Sequence, residues 1–414
     1  MIKKLLITAI IFILSSAYTH ANFITLSEKS TVSLITCSPG EAIYELFGHT
    51  AIRVVDTENQ LDIVFNYGLF SFDEPNFIGR FVRGKTDYEV GIQGFQDFVL
   101  SYAMRNSSVK EQILNFTPEE KQILWEKLNT DILPENKKYR YNFIFNNCAT
   151  RPRDIIERAS TGHVIYPYNI SPMTFREAIG LYTKDAKWSK FGFDLCLGMN
   201  ADKTATETDL HFLPEMLSES LAQTVVEYNA SKKEKLTQVP TYIIQANEKE
   251  SISTDSHTIS PLSVSWLLFA IVLTITIFAY IKKKKLYLLD GFLFLIAGSV
   301  GSLLLFLALF SKHPFTDNNF NIVWLNPFWF VPFVLFIIPI PRKKDVLIAF
   351  YIAVSIVLTI FMLSIWAIPQ YFNPAFIPLV LVLLTRVVSY VFYWGYKKDK
   401  TGSYYKRKKR TSNK

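Results

Sequence analysis

Cysteine is scarce. Three in 414 residues are too few for a disulfide scaffold or for a zinc domain built on cysteines. Charge is scarce as well. Only 19% of residues are Asp, Glu, Lys or Arg, below the roughly 25% usual for soluble chains, while half are hydrophobic and 15% aromatic. No internal repeat and no low-complexity tract interrupts the chain. These absences exclude disordered, collagen-like and wholly soluble proteins and point to a membrane portion. The net charge of +8 would suit nucleic acid if it were spread over the chain. It is not: residues 261–414 hold 18 Lys and Arg against 4 Asp and Glu, whereas residues 22–260 are net −8. The basic charge sits beside the apolar segments, as membrane topology requires, so nucleic acid is not an expected partner.

Residues 1–21 read as a secretory signal peptide, with Lys3 and Lys4 before the apolar stretch Leu5–Leu14 and a cleavage site at Thr19-His20-Ala21. No cysteine lies near that site, so the protein is not itself a lipoprotein. From Pro261 five apolar stretches follow, at 261–281, 286–310, 322–340, 346–367 and 374–395. Each approaches the ~20 residues a membrane helix needs, which predicts a five-helix transmembrane domain over 261–396. Lys282–Lys285, Arg342–Lys344 and the tail 397–414 are basic, whereas the loops 311–321 and 368–373 share one lysine. Positive charge stays inside, so the tail is expected in the cytoplasm and residues 22–260 on the outer face.

The external part divides into a compact domain, 22–235, and a polar tether, 236–260. Runs rich in β-branched and aromatic residues predict strands at 31–36, 50–56 and 61–67. Helices are expected at 41–46, 94–105, 117–129, 153–159 and 210–228. Thr117-Pro118-Glu119-Glu120 has the form of a capping box with proline in the first turn. The pattern is α+β.

Outside the cytoplasm cysteines usually pair, and three cannot all pair within one chain. Cys37 and Cys196 are the candidates for a disulfide, both in apolar surroundings. Cys148 follows Asn146-Asn147 and precedes a helix carrying Arg151, Arg153 and Asp154. The positive end of a helix and two arginines favour thiolate, the nucleophilic form, and the asparagines have donors for an oxyanion pocket. A thiol nucleophile needs a base. His257 lies in the tether, His211 is expected at the surface near a helix start, and His163 sits in a turn-like Thr161-Gly162-His163. His49 opens the strand Thr50–Val54, from which its ring can project. Spacing alone leaves open whether His49 is a base or a structural histidine.

Several ordered motifs carry a resemblance. They are Ser38-Pro39-Gly40, Phe47-Gly48-His49-Thr50-Ala51-Ile52-Arg53-Val54, Asn66-Tyr67-Gly68-Leu69-Phe70, Tyr139-Arg140-Tyr141, Asn147-Cys148-Ala149-Thr150-Arg151, Ala201-Asp202 and Phe212-Leu213-Pro214, followed by His313-Pro314, Asn319 and Asn326-Pro327. Together they resemble the Lnb family of Bacteroidota over nearly the whole mature chain. The resemblance implies a lipoprotein N-acyltransferase of the bacterial inner membrane, without a cofactor or metal. It also implies a permuted papain-like domain similar to the NlpC/P60 and lecithin:retinol acyltransferase groups, in which the histidine strand precedes the cysteine helix.

Carried onto this chain, the resemblance makes Cys148 the nucleophile and His49 the base. Asn66 is chosen as the third member because an amide oxygen can hold a ring N–H. Asn147 and Thr150 are the candidates for oxyanion stabilisation or positioning. Arg53, His313 and Asn319 are the candidates for the lipid headgroup. Asp202 matches the family without a derivable role. The implied donor is a phospholipid and the implied acceptor a diacylglyceryl-cysteine lipoprotein. The same pair could serve a membrane-tethered peptidase or amidase acting on peptidoglycan, or a phospholipase-type transferase with another acceptor. Pro152, tolerated only in a first helical turn, places the helix start near Thr150. The outer loop 311–321 is expected beneath the mouth of the Cys148 site.

Overall fold

The computed structural model describes residues 24–167, 171–247, 259–338 and 341–411; the expected signal peptide lies outside them. Among the described residues ten strands occur: β1 (Thr31–Cys37), β2 (His49–Asp56), β3 (Leu61–Leu69), β4 (Asp87–Gly94), β5 (Val109–Ile113), β6 (Lys138–Arg140), β7 (His163–Ile165), β8 (Val225–Asn229), β9 (Lys232–Lys235) and β10 (Thr241–Ile244). Seven form an antiparallel sheet in the order β10-β5-β1-β2-β3-β4-β6, and β7-β8-β9 form a small second sheet. The helices of this half are α1 (Phe77–Val82), α2 (Phe95–Ala103), α3 (Pro118–Asp131), α4 (Thr150–Ala159), α5 (Phe175–Thr183), α6 (Lys187–Cys196), α7 (Glu207–Leu210) and α8 (Pro214–Gln223).

Alternation along β1–β3 gives the large sheet two apolar faces. Val32, Leu34, Ile52, Val54, Phe65 and Tyr67 pack against Leu124, Trp125 and Leu128 of α3 and Ile155 and Ile156 of α4. Ile35, Cys37, Ala51 and Val64 pack on the other side against Phe95, Phe98 and Tyr102 of α2. Burying each large side chain contributes about 1.5–3 kcal/mol. The capping box at α3 is formed: Glu120 N–H donates to Thr117 Oγ1 at 3.2 Å and Thr117 N–H to Glu120 Oε2 at 2.9 Å.

Two expectations fail locally. Residues 41–46 form turns instead of a helix. The helix expected over 210–228 divides into α7, α8 and β8, since Pro214 starts one helix and the β-branched Thr224-Val225-Val226 starts a strand. The sheet also runs past the expected domain boundary, because β10 pairs with β5.

The C-terminal half contains α9 (Pro261–Ile281), α10 (Tyr287–Phe310), α11 (Val331–Ile337), α12 (Lys343–Ser364) and α13 (Phe376–Thr411). Among the described residues four helices are long and apolar enough to cross a membrane: α9, α10, α12 and the Phe376–Tyr393 part of α13. The third apolar stretch is not one long helix. It is two 3₁₀ turns, Phe320–Val323 and Pro327–Phe330, followed by the short α11. Asn319 and Asn326 cap the turns through their side chains, and Pro327 and Pro332 remove backbone donors that a continuous helix would need. Arg386 of α13 bonds Asp290 of α10 at 2.6 Å and Thr276 of α9 at 2.6 Å, an ion pair buried among three helices.

A polar seam joins the two halves. The end of α6 leaves carbonyls without intrahelical partners. Asn319 Nδ2 donates to the carbonyls of Leu195 (2.8 Å) and Cys196 (3.1 Å), and Asn321 Nδ2 donates to that of Leu195 (3.1 Å). Arg176 of α5 is buried, bonds Asp202 at 2.7 Å, donates to the Leu197 and Gly198 carbonyls and lies 3.5 Å from Asp194. Asn373 reaches Asp194 at 2.8 Å, and Gly198 N–H donates to Phe315 O at 2.7 Å. Removing Arg176 would leave two carboxylates and three carbonyls short of a donor. Arg176→Met is therefore expected to cost about 3–5 kcal/mol, read as a lowered melting temperature of the full chain in detergent. An unchanged melting temperature would show that Arg176 does not stabilise the α6 side of the seam.

Candidate active site

Gly48 turns the chain into β2 with φ +75°, and a Cβ there would lie 2.5 Å from Cys37 O, so only glycine fits. The turn makes His49 the first residue of the strand, paired opposite Cys37. Asn66 faces Ala51 across the β2–β3 ladder, on the same side of the sheet as His49. His49 Nε2 and Asn66 Oδ1 are 3.1 Å apart. An amide oxygen only accepts, so Nε2 carries the proton and Nδ1 keeps its lone pair. Burial lowers the His49 pKa to about 4 against the opposing hydrogen bond to Asn66, and the Arg105 charge lowers it further. The ring is neutral at pH 7.

Two steps past the Ala51–Asn66 pair come His49 on β2 and Gly68 on β3. Cys148 meets the sheet there. A Cβ at Gly68 would lie 3.6 Å from Cys148 Cβ and 3.7 Å from the Tyr141 ring. α4 begins at Thr150, as Pro152 predicts, so Cys148 stands just ahead of its first turn. Burial pushes the thiol up to about 11, while the backbone N–H groups of Thr50 and of Cys148 itself pull it down. Among the described residues no hydrogen bond joins Cys148 to His49. The pair at rest is a neutral thiol beside a neutral imidazole. This corrects the expectation of a stabilised thiolate. Arg151 stacks on Tyr139 at 3.6 Å and bonds Asn146, and Arg153 bonds Asp154 and the Thr208 carbonyl. Neither arginine is a cause of the Cys148 shift.

Cys148, His49 and Asn66 therefore converge, and the other candidates do not. Asn147 Nδ2 donates to Phe143 O and Phe212 O, both at 2.8 Å, while its Oδ1 accepts from Ala149 N and Thr150 N. Both amide protons are used, so Asn147 braces the turn before α4 and has no donor left for an oxyanion. Thr150 Oγ1 accepts from Asn147 N–H and donates to Asn147 Oδ1, which removes it from that role too. Arg53 is not available to a headgroup: it bonds Asp62 and Glu111 and lies over the Phe95 ring at 3.3 Å. Asn319 belongs to the seam, and Asp202 gains a role there as the partner of Arg176. His313 bonds the Phe81 carbonyl at 2.6 Å, which ties the outer loop to α1. That loop does lie near the site, where Phe315 touches Phe145 at 6.0 Å, three residues before Cys148.

Cys37, Cys148 and Cys196 are all free, so the expected bridge is absent; Cys37 is in β1 and Cys196 at the end of α6. His211 is wholly buried against Tyr166, contrary to the surface position expected, whereas His163 is exposed on β7. Among the described residues no group of three or more His, Cys, Asp or Glu is placed to hold a metal ion. Three contributors escaped the sequence reading: the Thr50 N–H, Gly68 and Tyr141. All lie in quoted motifs, but their roles depend on which backbone faces the sulfur.

Residues 20–181 match the family model of the Lnb N-terminal periplasmic domain, and residues 253–399 match that of the Lnb transmembrane domain. No curated protein and no solved structure matches the chain.

Gly48→Ala should cost about 1–3 kcal/mol in backbone strain and lower the melting temperature, whereas Gly192→Ala, with open space around its Cα, should not. A thiol with its pKa near 11 gains thiolate about tenfold per pH unit below that value. Alkylation of the Cys148 peptide by iodoacetamide, followed by mass spectrometry, should keep rising from pH 7 to pH 10. A plateau already reached near pH 6 would mean a preformed ion pair.

Proposed function

The chain belongs to the Lnb family, and from that premise we propose that it moves an acyl chain from a phospholipid to the N-terminal amine of a diacylglyceryl-cysteine lipoprotein. The supporting observation is the Cys148–His49–Asn66 cluster beside a loop of the membrane half, through Phe145 and Phe315. On this reading the domain is a permuted papain-like fold with the histidine strand ahead of the cysteine helix. It faces the periplasm from the inner membrane, and the tail beyond Lys397 is cytoplasmic.

His49 Nδ1 takes the thiol proton as Cys148 Sγ attacks the ester carbonyl, and Asn66 holds Nε2–H so that the ring keeps its orientation. The N–H groups of Thr50 and Cys148 are the nearest donors for the tetrahedral oxygen. Collapse expels the glycerol oxygen, which takes the proton from His49 and leaves as lysophospholipid. Cys148 then carries a thioester. The lipoprotein amine attacks it, His49 accepts the amine proton, and the thiol leaves with a proton, giving an amide. Five apolar segments would be superfluous for an enzyme acting on the cell wall, which favours a lipid donor over a peptidoglycan substrate.

Mass spectrometry of lipoprotein N-termini tests the reading. A strain lacking the protein should lose the N-acyl chain, and the wild-type gene should restore it. Cys148→Ala should not restore it, and His49→Ala should slow it about 10²–10⁴-fold. Restoration by Cys148→Ala would end the thioester route. Cleavage of muropeptides by the purified chain would favour the peptidase.

A further inference from the structure

The short helix α1 buries none of its residues. Its Ile78 is 78% exposed, and Phe72 just ahead of it is 65% exposed. Ile43, Tyr44, Leu69 and Phe81 add to the same exposed surface. Soluble surfaces rarely present so much contiguous apolar area without a partner.

The rings here are continuous. Phe81 stacks on Phe77 at 6.0 Å, Phe77 on Phe70 at 5.9 Å, Phe70 on Tyr88 at 4.9 Å and Tyr88 on Tyr141 at 4.1 Å. Tyr141 and Cys148 both border the space beside Gly68, 3.7 Å and 3.6 Å from where a Cβ would stand. The row runs from the nucleophile to the top of a membrane helix. At the far end Phe81 meets His313, Ser311 Oγ bonds Val82 O at 2.9 Å and Lys312 N–H bonds Arg83 O at 2.9 Å. Those three residues directly follow Phe310, the last residue of α10. Arg83, Lys85 and Lys312 surround this end, exposed and without an acidic partner among the described residues. An apolar face rimmed by cations matches an outer leaflet, with acyl chains below the phosphates.

The geometry points to Leu69–Arg83 as a lipid-contacting element. Phe72 and Ile78 enter the outer leaflet, the cationic rim holds phosphates, and the row of rings guides the donor's acyl chain to Cys148. The lipid is a phospholipid of the membrane that holds α10. The inference rests on the proposed function for its last step, the delivery of the ester, but lipid contact can be measured without turnover.

The test uses the full chain carrying Cys148→Ala, reconstituted in vesicles of phosphatidylethanolamine and phosphatidylglycerol. Photoreactive p-benzoylphenylalanine replaces Phe72, Ile78 or, as a control, Val239. Val239 is also exposed (82%), and its neighbour Gln238 bonds Ile113, which pairs with Ser33, at the end of β1 away from Cys37. Variants are compared only where the melting temperature matches that of the parent, and having two insertion positions guards against one misfolding. Irradiation should yield phospholipid adducts at 72 and 78 and none at 239. Adducts at 78 no more abundant than at 239 would overturn the proposal, as would cross-links at 72 and 78 to protein alone. Because Cys148→Ala cannot turn over, either result is independent of the acyl-transfer reading.

Discussion

A helix that stops inside a protein must hand its last carbonyls to someone else's donors. At the end of α6 those donors come from the membrane half, through Asn319 and Asn321. Neither side can satisfy the junction alone. Without the loop the carbonyls of Leu195 and Cys196 would be desolvated and unpaired, at about 1–3 kcal/mol each. Without α5 and α6 the amides of Asn319 and Asn321 would face the same penalty. Arg176 extends the network from Asp202 to Asp194, and Asn373 closes it from the start of α13. The orientation of the N-terminal domain over the membrane helices is thus fixed by directional bonds. Apolar packing alone would allow sliding.

That fixed orientation matters because the cluster at Cys148 stands on the same base. Phe47 and Ile144, near His49 and Cys148, pack in one core with Phe175 of α5 and Leu197, next to the seam. Phe315, whose carbonyl takes the Gly198 N–H, also touches Phe145 and Phe175. A shift at the seam would therefore reach the turn that carries the sulfur through a short chain of rings.

Sequence and structure agree best where one local signal dominates. β1, β2 and β3 are runs of β-branched residues between turns, and each was legible within about two residues. The capping box at Thr117 and the helix start at Thr150 follow from backbone chemistry alone. β5, with Lys110 and Glu111 at its centre, lacks an apolar alternation, whereas β4 does alternate at Tyr88, Val90 and Ile92 but is diluted by Gly91 and Gly94, residues that disfavour strands. The site divides the same way. Cys148, His49 and Asn66 stand out by residue type, and the fold brings them to one end of the β2–β3 ladder. Asn147 misleads because its donors are claimed by Phe143 and by Phe212, 65 positions away. Arg53 misleads for the same reason: Glu111, on a strand that the sequence hides, neutralises it.

The neutral resting pair also follows from where the site sits. A thiolate–imidazolium pair withdrawn from water pays desolvation for both ions, and attraction returns that cost only when the two are well bonded. Burial lifts the thiol and depresses the imidazole here, so the uncharged forms are preferred on both sides. On the proposed reading, charge arises only while a proton moves to Nδ1, with Asn66 holding the ring and the N–H groups of Thr50 and Cys148 at the sulfur. On the inference above, the apolar row from Tyr141 to Phe81 accommodates hydrocarbon. On the proposed reading, one property of the site serves two needs: a lipid chain can rest beside the sulfur, and the nucleophile stays unreactive until an ester carbonyl reaches it.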